Sequence, residues 1–357
     1  MIDQAFWNGR RVFLTGHTGF KGAWMVLLLR SLGAEVRGFA LPPDHKQGLF
    51  EIARVADDVD HRIGDIRDPA ALEAALAEAK PSLVIHMAAQ SLVRMSYDAP
   101  VETYATNIMG TVHLLDAVRR TTGIRAVVVV TSDKCYENRG VARGFREADA
   151  MGGHDPYSSS KGCAELVTAA YRDSFFHAPG SVRVASARAG NVIGGGDWAR
   201  DRLVPDMMRS FMDDNVVRIR SPSAIRPWQH VLDPLLGYLK LAQHLVGGSD
   251  GVAEGWNFGP GEESEVPVST LVEQLARRWG PRARWQLDEG EHPHEAAYLK
   301  LDCSKARTRL GWRPLVGLDL ALQMTCDWYL ALAEGKDMRQ VSTRQIESVM
   351  EKALHHA

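Results

Sequence analysis

Tyr157 and Lys161 are spaced i and i+4, so on a helix they share one face and an ammonium can stand beside a phenol. A free phenol titrates near ~10 and is a poor base at neutral pH, but a neighbouring cation favours the phenolate. Such a tyrosine can remove a hydroxyl proton while a hydride leaves the carbon. Upstream, Ser132 stands just past the run Val127 to Val130 and can hydrogen-bond and orient the same hydroxyl. The next two residues, Asp133 and Lys134, are both ionisable. Beside a newly made ketone a carbon-bound proton is acidic, and expelling a neighbouring hydroxyl needs an acid on one side and a base on the other. Asp133, when protonated, can supply the leaving hydroxyl. Lys134 can act as the base only if burial or neighbouring cations lower its pKa.

A second cluster lies at the start of the chain. The apolar strand Val12-Phe13-Leu14 runs into Thr15-Gly16-His17-Thr18-Gly19-Phe20-Lys21-Gly22 and then into an apolar helical pattern. Glycines in such a turn allow positive φ and close backbone approach, and the free N–H groups of the following helix face an anion, as in a dinucleotide-binding turn. An acid for the ribose 2′-hydroxyl is expected about 20 residues on. The second strand instead ends Gly38-Phe39-Ala40-Leu41, which leaves NAD and NADP both open, with His17 and Lys21 able to tolerate a 2′-phosphate. Small residues in His86-Met87-Ala88-Ala89-Gln90 would let a ribose or nicotinamide lie against the backbone.

These residues need a scaffold, and the first half of the chain supplies one. Short β-branched runs at 11–14, 35–39, 83–86, 126–131 and 182–187 alternate with helical patterns at 22–32, 69–78, 102–120 and 158–175. The unalternating valines predict a strand buried on both faces. This pattern predicts an α/β, Rossmann-type doubly wound parallel sheet with a smaller C-terminal substrate-binding lobe. Residues 1–187 are expected to form the dinucleotide domain, receiving segments near 227–250, and residues 188–357 mainly the lobe. After Arg188 the texture turns to loops rich in Gly, Pro and Trp, which suits a ligand-facing surface.

Composition narrows the partners. The 357 residues carry 42 Lys and Arg against 44 Asp and Glu, a formal net charge of −2, so no large field attracts nucleic acid or an anionic membrane. The longest fully aliphatic stretch, Ala126 to Val130, is far below the ~18 residues that span a bilayer. The four cysteines include no Cys-x-x-Cys pair, which fits a reducing cytoplasm. His292, His294 and Glu295, and His355 with His356, lack the His-x-x-x-His spacing of a catalytic zinc helix, so no metal is expected.

The glycine spacing, the serine and the Tyr-x-x-x-Lys pair together resemble the extended short-chain dehydrogenase/reductase family. Within it, the chain resembles the bacterial CDP-glucose 4,6-dehydratases over nearly its whole length. The residues that carry this are Phe6-Trp7, the turn His17 to Gly22, Ser132-Asp133-Lys134-Cys135-Tyr136, Ala150-Met151-Gly152-Gly153, Gly194-Gly195-Gly196-Asp197-Trp198, Ile225-Arg226-Pro227-Trp228-Gln229-His230 and His292-Pro293-His294-Glu295. The resemblance implies bound NAD, with Asp65 and Ile66 at the adenine and Asn107 supporting the active-site geometry. It also implies CDP-glucose as substrate, contacted by Arg188, Asn191, Trp198, Arg202, Arg226 and His230, and a homodimer built on the helices of Asn107 and Tyr157. The rival readings are a nucleotide-sugar 4-epimerase, which would leave Asp133 and Lys134 idle, a dehydratase for another nucleotide sugar, and a module that only senses the dinucleotide.

Overall fold

The computed structural model describes residues 2–140, 143–288, 290 and 299–355. Its centre is a seven-stranded sheet of β1 (Arg11–Thr15), β2 (Glu35–Ala40), β3 (Val59–Ile63), β4 (Leu83–His86), β5 (Ala126–Val130), β6 (Arg183–Arg188) and β7 (Gly255–Asn257). The spatial order is β7-β6-β5-β4-β1-β2-β3, and every pairing is parallel. The order reverses beside β1, and ligand crevices in open α/β sheets form at the carboxyl ends of the strands flanking such a reversal.

The valine run explains the layering. In β5, Val128 and Val130 enter a core shared with Val12, Leu14, Ile85 and Ala187, whereas Val127 and Val129 enter a second core with Phe13, Phe39, Val84 and Val184. Both faces of the sheet are therefore covered. Helices α1 (Phe20–Ser31) and α5 (Leu232–Gly247) line the first face, and α2 (Pro69–Ala79), α3 (Gly110–Arg120) and α4 (Pro156–Phe175) the second. Asp68 accepts from the N–H groups of Ala70 and Ala71 ahead of Pro69, and Asp155 forms a capping box with Ser158 ahead of Pro156. A side-chain acceptor followed by proline at the first helical position is a strong start signal.

Three features differ from the sequence reading. The sheet takes a strand from 255–257, beyond the segment expected to return to it; three residues are too short a run to be read as a strand. β3 also escaped notice, because Val-Asp-His-Arg-Ile is an edge strand exposed along most of its length. The helix expected at 102–120 is interrupted: Pro100–Tyr104 is α-helical, Ala105–Met109 forms a π-helical turn, and α3 follows. Such bulges often mark functional positions, and this one contains Asn107.

The C-terminal lobe consists of short ladders, 192–193 with 229–230, 225–227 with 265–267 and 216–219 with 284–287, covered by helices that include Leu203–Met212, Val268–Trp279 and Leu318–Ala333. Leu271, Leu322 and Trp328 of this lobe belong to the same apolar cluster as β1 and α1, so the two parts share one core. Among the described residues no helix is long and apolar enough to cross a membrane.

Candidate active site

The glycine turn joins β1 to α1 as expected, although α1 begins at Phe20. Gly16 has φ 76°, and a Cβ there would lie 2.7 Å from the Ala88 nitrogen; a Cβ on Gly22 would lie 2.0 Å from the Gly16 oxygen. Gly19 caps α1 without a side chain, so the helix offers its first N–H groups to a ligand. Such a turn could hold an anion such as a pyrophosphate, and against it packs the Met87–Ala89 segment, where Met87 and Ala88 donate N–H bonds of 3.1 Å to Thr15 Oγ1.

The side chains around this turn depart from expectation. His17 turns inward against Phe50, His61 and Gly38, and burial with the nearby His61 lowers its pKa to about 4. A neutral, buried ring supplies no charge to a 2′-phosphate, so only the His17 backbone remains at the turn. Lys21 reaches back to donate to Tyr238 Oη at 3.0 Å, and burial, helped by repulsion from Lys161 and Arg202, lowers its pKa to about 7. Asp65 is already held by Arg67 through its backbone N–H and Nε, both at 2.8 Å, and this contact keeps the carboxyl below its usual range. Arg67 therefore stands where the adenine was expected to meet Asp65 alone, with Ile66 buried beside it.

At the carboxyl end of β5, Ser132, Asp133 and Tyr157 come together. The Tyr157 hydroxyl lies beside Ser132, Ser132 Oγ donates to Asp133 Oδ1 at 3.0 Å, and the Lys134 N–H donates to Ser132 Oγ at 3.2 Å. Lys134 Nζ lies 3.9 Å from Asp133 Oδ1. Burial raises the Tyr157 pKa, and the cations opposing this are Lys134 and Arg202. Lys161 is buried on the same face of α4, and desolvation lowers its pKa to about 8 against the pull of Glu165. Asn107 Nδ2 donates to the Gln90 carbonyl at 2.9 Å and to Ser160 Oγ at 2.8 Å, and its Oδ1 accepts the Gln90 N–H. It pins the π-turn to α4 and to the segment after β4.

The residues expected to meet substrate separate into two groups. Arg188 and His230 turn into the interior. Arg188 donates to Glu165 at 2.7 Å, to Tyr136 Oη at 2.6 Å and to the Glu147 carbonyl, which engages its terminal nitrogens inside the protein. The His230 ring is fully buried edge-on to Trp24, and burial lowers its pKa to about 3. Trp198 is wedged between the His45 ring, stacked at 5.2 Å, and Tyr329. The remaining three are Asn191, Arg202 and Arg226. Asn191 adopts φ 43°, and its buried Nδ2 has no hydrogen-bond partner among the described residues. Arg202 bridges Asp197 at 3.0 Å and Ser91 at 2.9 Å, and Arg226 sits half-buried on the strand 225–227. His292 to Glu295 and the His355 and His356 side chains lie outside the described residues.

Sequence reasoning missed Glu165, whose carboxylate also accepts from Thr131 and from Ser186 at 2.6 Å. Its signal was available, since Tyr157, Lys161 and Glu165 follow at i, i+4 and i+8 on one helix face. Tyr238, the partner of Lys21, gave no comparable signal.

A doubly wound parallel sheet with serine, tyrosine and lysine at its carboxyl edge, beside a glycine-rich turn, is the architecture of an extended short-chain dehydrogenase/reductase. A family model described as GDP-mannose 4,6 dehydratase matches residues 13–325, and the chain belongs to that family. A CDP-glucose 4,6-dehydratase from Salmonella typhimurium is 54% identical over 354 residues, covering 98% of this chain and 99% of the relative. A dTDP-glucose 4,6-dehydratase from Xanthomonas campestris pv. campestris is 27% identical and covers 89% of this chain and 92% of its own length. Among solved structures, a dTDP-glucose 4,6-dehydratase from Bacillus anthracis in complex with NAD has a TM-score of 0.76 at 22% identity, covering 93% of this chain and 100% of the other. That likeness is one of fold.

Proposed function

We propose that this chain is a cytoplasmic, NAD-dependent CDP-glucose 4,6-dehydratase that forms CDP-4-dehydro-6-deoxyglucose for deoxysugar synthesis. The observation that carries the reading is the joining of Ser132, Asp133, Lys134 and Tyr157 in one cluster. Identity of 54% over almost the full length to a relative of that name supports the choice of nucleotide sugar. An epimerase needs no ionisable pair next to its serine. The buried Asp133 and its lysine neighbour therefore favour elimination over simple inversion.

The turn at Gly16, Gly19 and Gly22 would hold the dinucleotide, which would supply a reversible hydride acceptor for the oxidation at C4 and the reduction at C6. The protein supplies the proton chemistry. Tyr157 takes the C4 hydroxyl proton, Ser132 orients that hydroxyl, and Asp133 protonates the departing C6 hydroxyl. Lys134 is proposed as the base at C5, and Lys161 as the cation that holds the dinucleotide ribose. Asn191, Arg202 and Arg226 are proposed to meet the diphosphate and sugar, since planar cations suit bidentate contact with phosphate.

A homodimer is part of the proposal. Met95, Tyr97, Val101, Met109 and Leu166 are exposed on or beside helices that pack with α4, and Val101 is 81% exposed. An apolar face of that kind favours a partner. The activity is tested by treating the reaction mixture with base and recording its absorbance: a 4-keto-6-deoxy sugar develops a chromophore, whereas an epimerised hexose does not.

A further inference from the structure

The overall dehydration returns every group on the enzyme to its starting state, and that requirement constrains the protons. Tyr157 gains one from the C4 hydroxyl, and Asp133 loses one to the C6 hydroxyl. The C5 proton leaves and returns through its own base, so it does not alter this balance. One proton per turnover must travel from Tyr157 to Asp133, directly or through solvent.

Solvent has poor access to both ends. Asp133 is completely buried, and Ser132 and Tyr157 are nearly so. Behind the carboxylate lies a cavity of about 10 Å³, lined by Asp133, Gly190, Gln229, Gly259 and Glu265. That is about the space of one water molecule. The hydroxyl of Ser132, by contrast, connects the two groups. A serine hydroxyl has one donor and two acceptor positions. Its donor goes to Asp133 Oδ1 and one acceptor position to the Lys134 N–H, which leaves one acceptor position for the Tyr157 hydroxyl.

We propose that the proton given to the departing C6 hydroxyl is supplied by the C4 hydroxyl, passed from Tyr157 through Ser132 to Asp133. The cycle starts with Tyr157 protonated and Asp133 a carboxylate. As the C4 hydroxyl transfers its proton to Tyr157 Oη, the phenol proton bonds to Ser132 Oγ and the serine proton bonds to Asp133 Oδ1. Elimination then moves that proton onto the C6 oxygen, which leaves as water, and all three side chains are back where they began. The oxidation step thereby arms the acid that the elimination step needs. Ser132 acts as a relay as well as an orienting group.

This rests on the dehydratase reading, and the test separates the two. Single turnovers with CDP-glucose and NAD are quenched over time and the sugar nucleotides are weighed by mass spectrometry. The relay predicts that Ser132→Ala accumulates the 4-keto sugar, lighter by two hydrogens, before any water is lost. Ser132→Thr, which keeps a hydroxyl, should not accumulate it, whereas Asp133→Asn should. If Ser132→Ala slows ketone formation and water loss together, with no accumulation, Ser132 only orients and the relay is wrong. Water loss at the wild-type rate by Asp133→Asn would overturn it independently of how Ser132→Ala folds. If the wild-type protein itself removes no water, the dehydratase reading falls and the relay with it.

Discussion

Lys21 and Lys134 are the two lysines whose surroundings decide their use. Burial holds Lys21 near a pKa of about 7, so below that pH it adds a positive charge to the cluster of Lys161 and Arg202. The dinucleotide's anionic pyrophosphate, which the adjacent turn would hold, is favoured by the protonated form and not by the neutral one. NAD affinity, followed by quenching of tryptophan fluorescence, should therefore fall as the pH goes from about 6 to about 8, and Lys21→Met should flatten this dependence. Lys134 is a third exposed and lies beside both Asp133 and Tyr157. As the C5 base it is required after oxidation, so Lys134→Met should still make the 4-keto sugar but lose at least about a hundredfold in water elimination; unchanged elimination would remove it from that role. Tyr157 and Lys161 could be paired from the sequence because helix geometry puts residues i and i+4 on one face, and Ser132 from its place at the end of the valine strand. Arg188 and His230 could not be placed, because a motif does not say whether a charged ring or guanidinium at a strand end faces the cleft or the interior. Burial opposite Glu165 decided it for Arg188.

At the scale of elements, the turn between β1 and α1 has no tolerance for side chains. A Cβ at residue 22 would overlap the Gly16 carbonyl, a backbone atom that cannot swing aside. Gly22→Ala should therefore weaken dinucleotide binding by about tenfold or more and also lower the melting temperature without cofactor, since the backbone must shift to admit the methyl group; isothermal titration and thermal unfolding check the two halves. This turn was readable because glycines at 16, 19 and 22 sit between an apolar strand and an apolar helix. Five of the seven strands were readable from short β-branched runs, most clearly the valines of β5, because burial on both faces favours an unbroken apolar stretch. β3 and β7 were not, one being an exposed edge and the other only three residues long. The break at 105–109 could not be inferred either, because Asn107 is held by Gln90 and Ser160, which lie far from it in sequence.

For the whole molecule, the lobes are fastened at Asp233. Its carboxylate, at the start of α5, accepts the N–H groups of Leu315 and Val316 at 2.7 and 3.3 Å, and burial raises its pKa to about 7. In the unfolded chain an aspartate titrates near ~3.9, so between that value and about 7 the folded state binds the extra proton. Its contribution is full below the lower value and is lost as the pH rises through the upper one. Thermal stability should decline over that window, and Asp233→Asn should make the decline shallower, as read from melting temperatures at pH 5 and 8. The near-neutral charge was visible in the sequence, whereas this fastening was not, since it joins residues more than seventy positions apart.

The central claim is the loss of water from one nucleotide sugar. Purified protein with added NAD should be incubated separately with CDP-glucose, dTDP-glucose, GDP-mannose and UDP-glucose, and each product weighed. The account predicts a product lighter by one water from CDP-glucose and unchanged substrate in the other three. Water loss only from a different nucleotide sugar would contradict the assigned substrate, and an isomer of unchanged mass from CDP-glucose would contradict the dehydration itself.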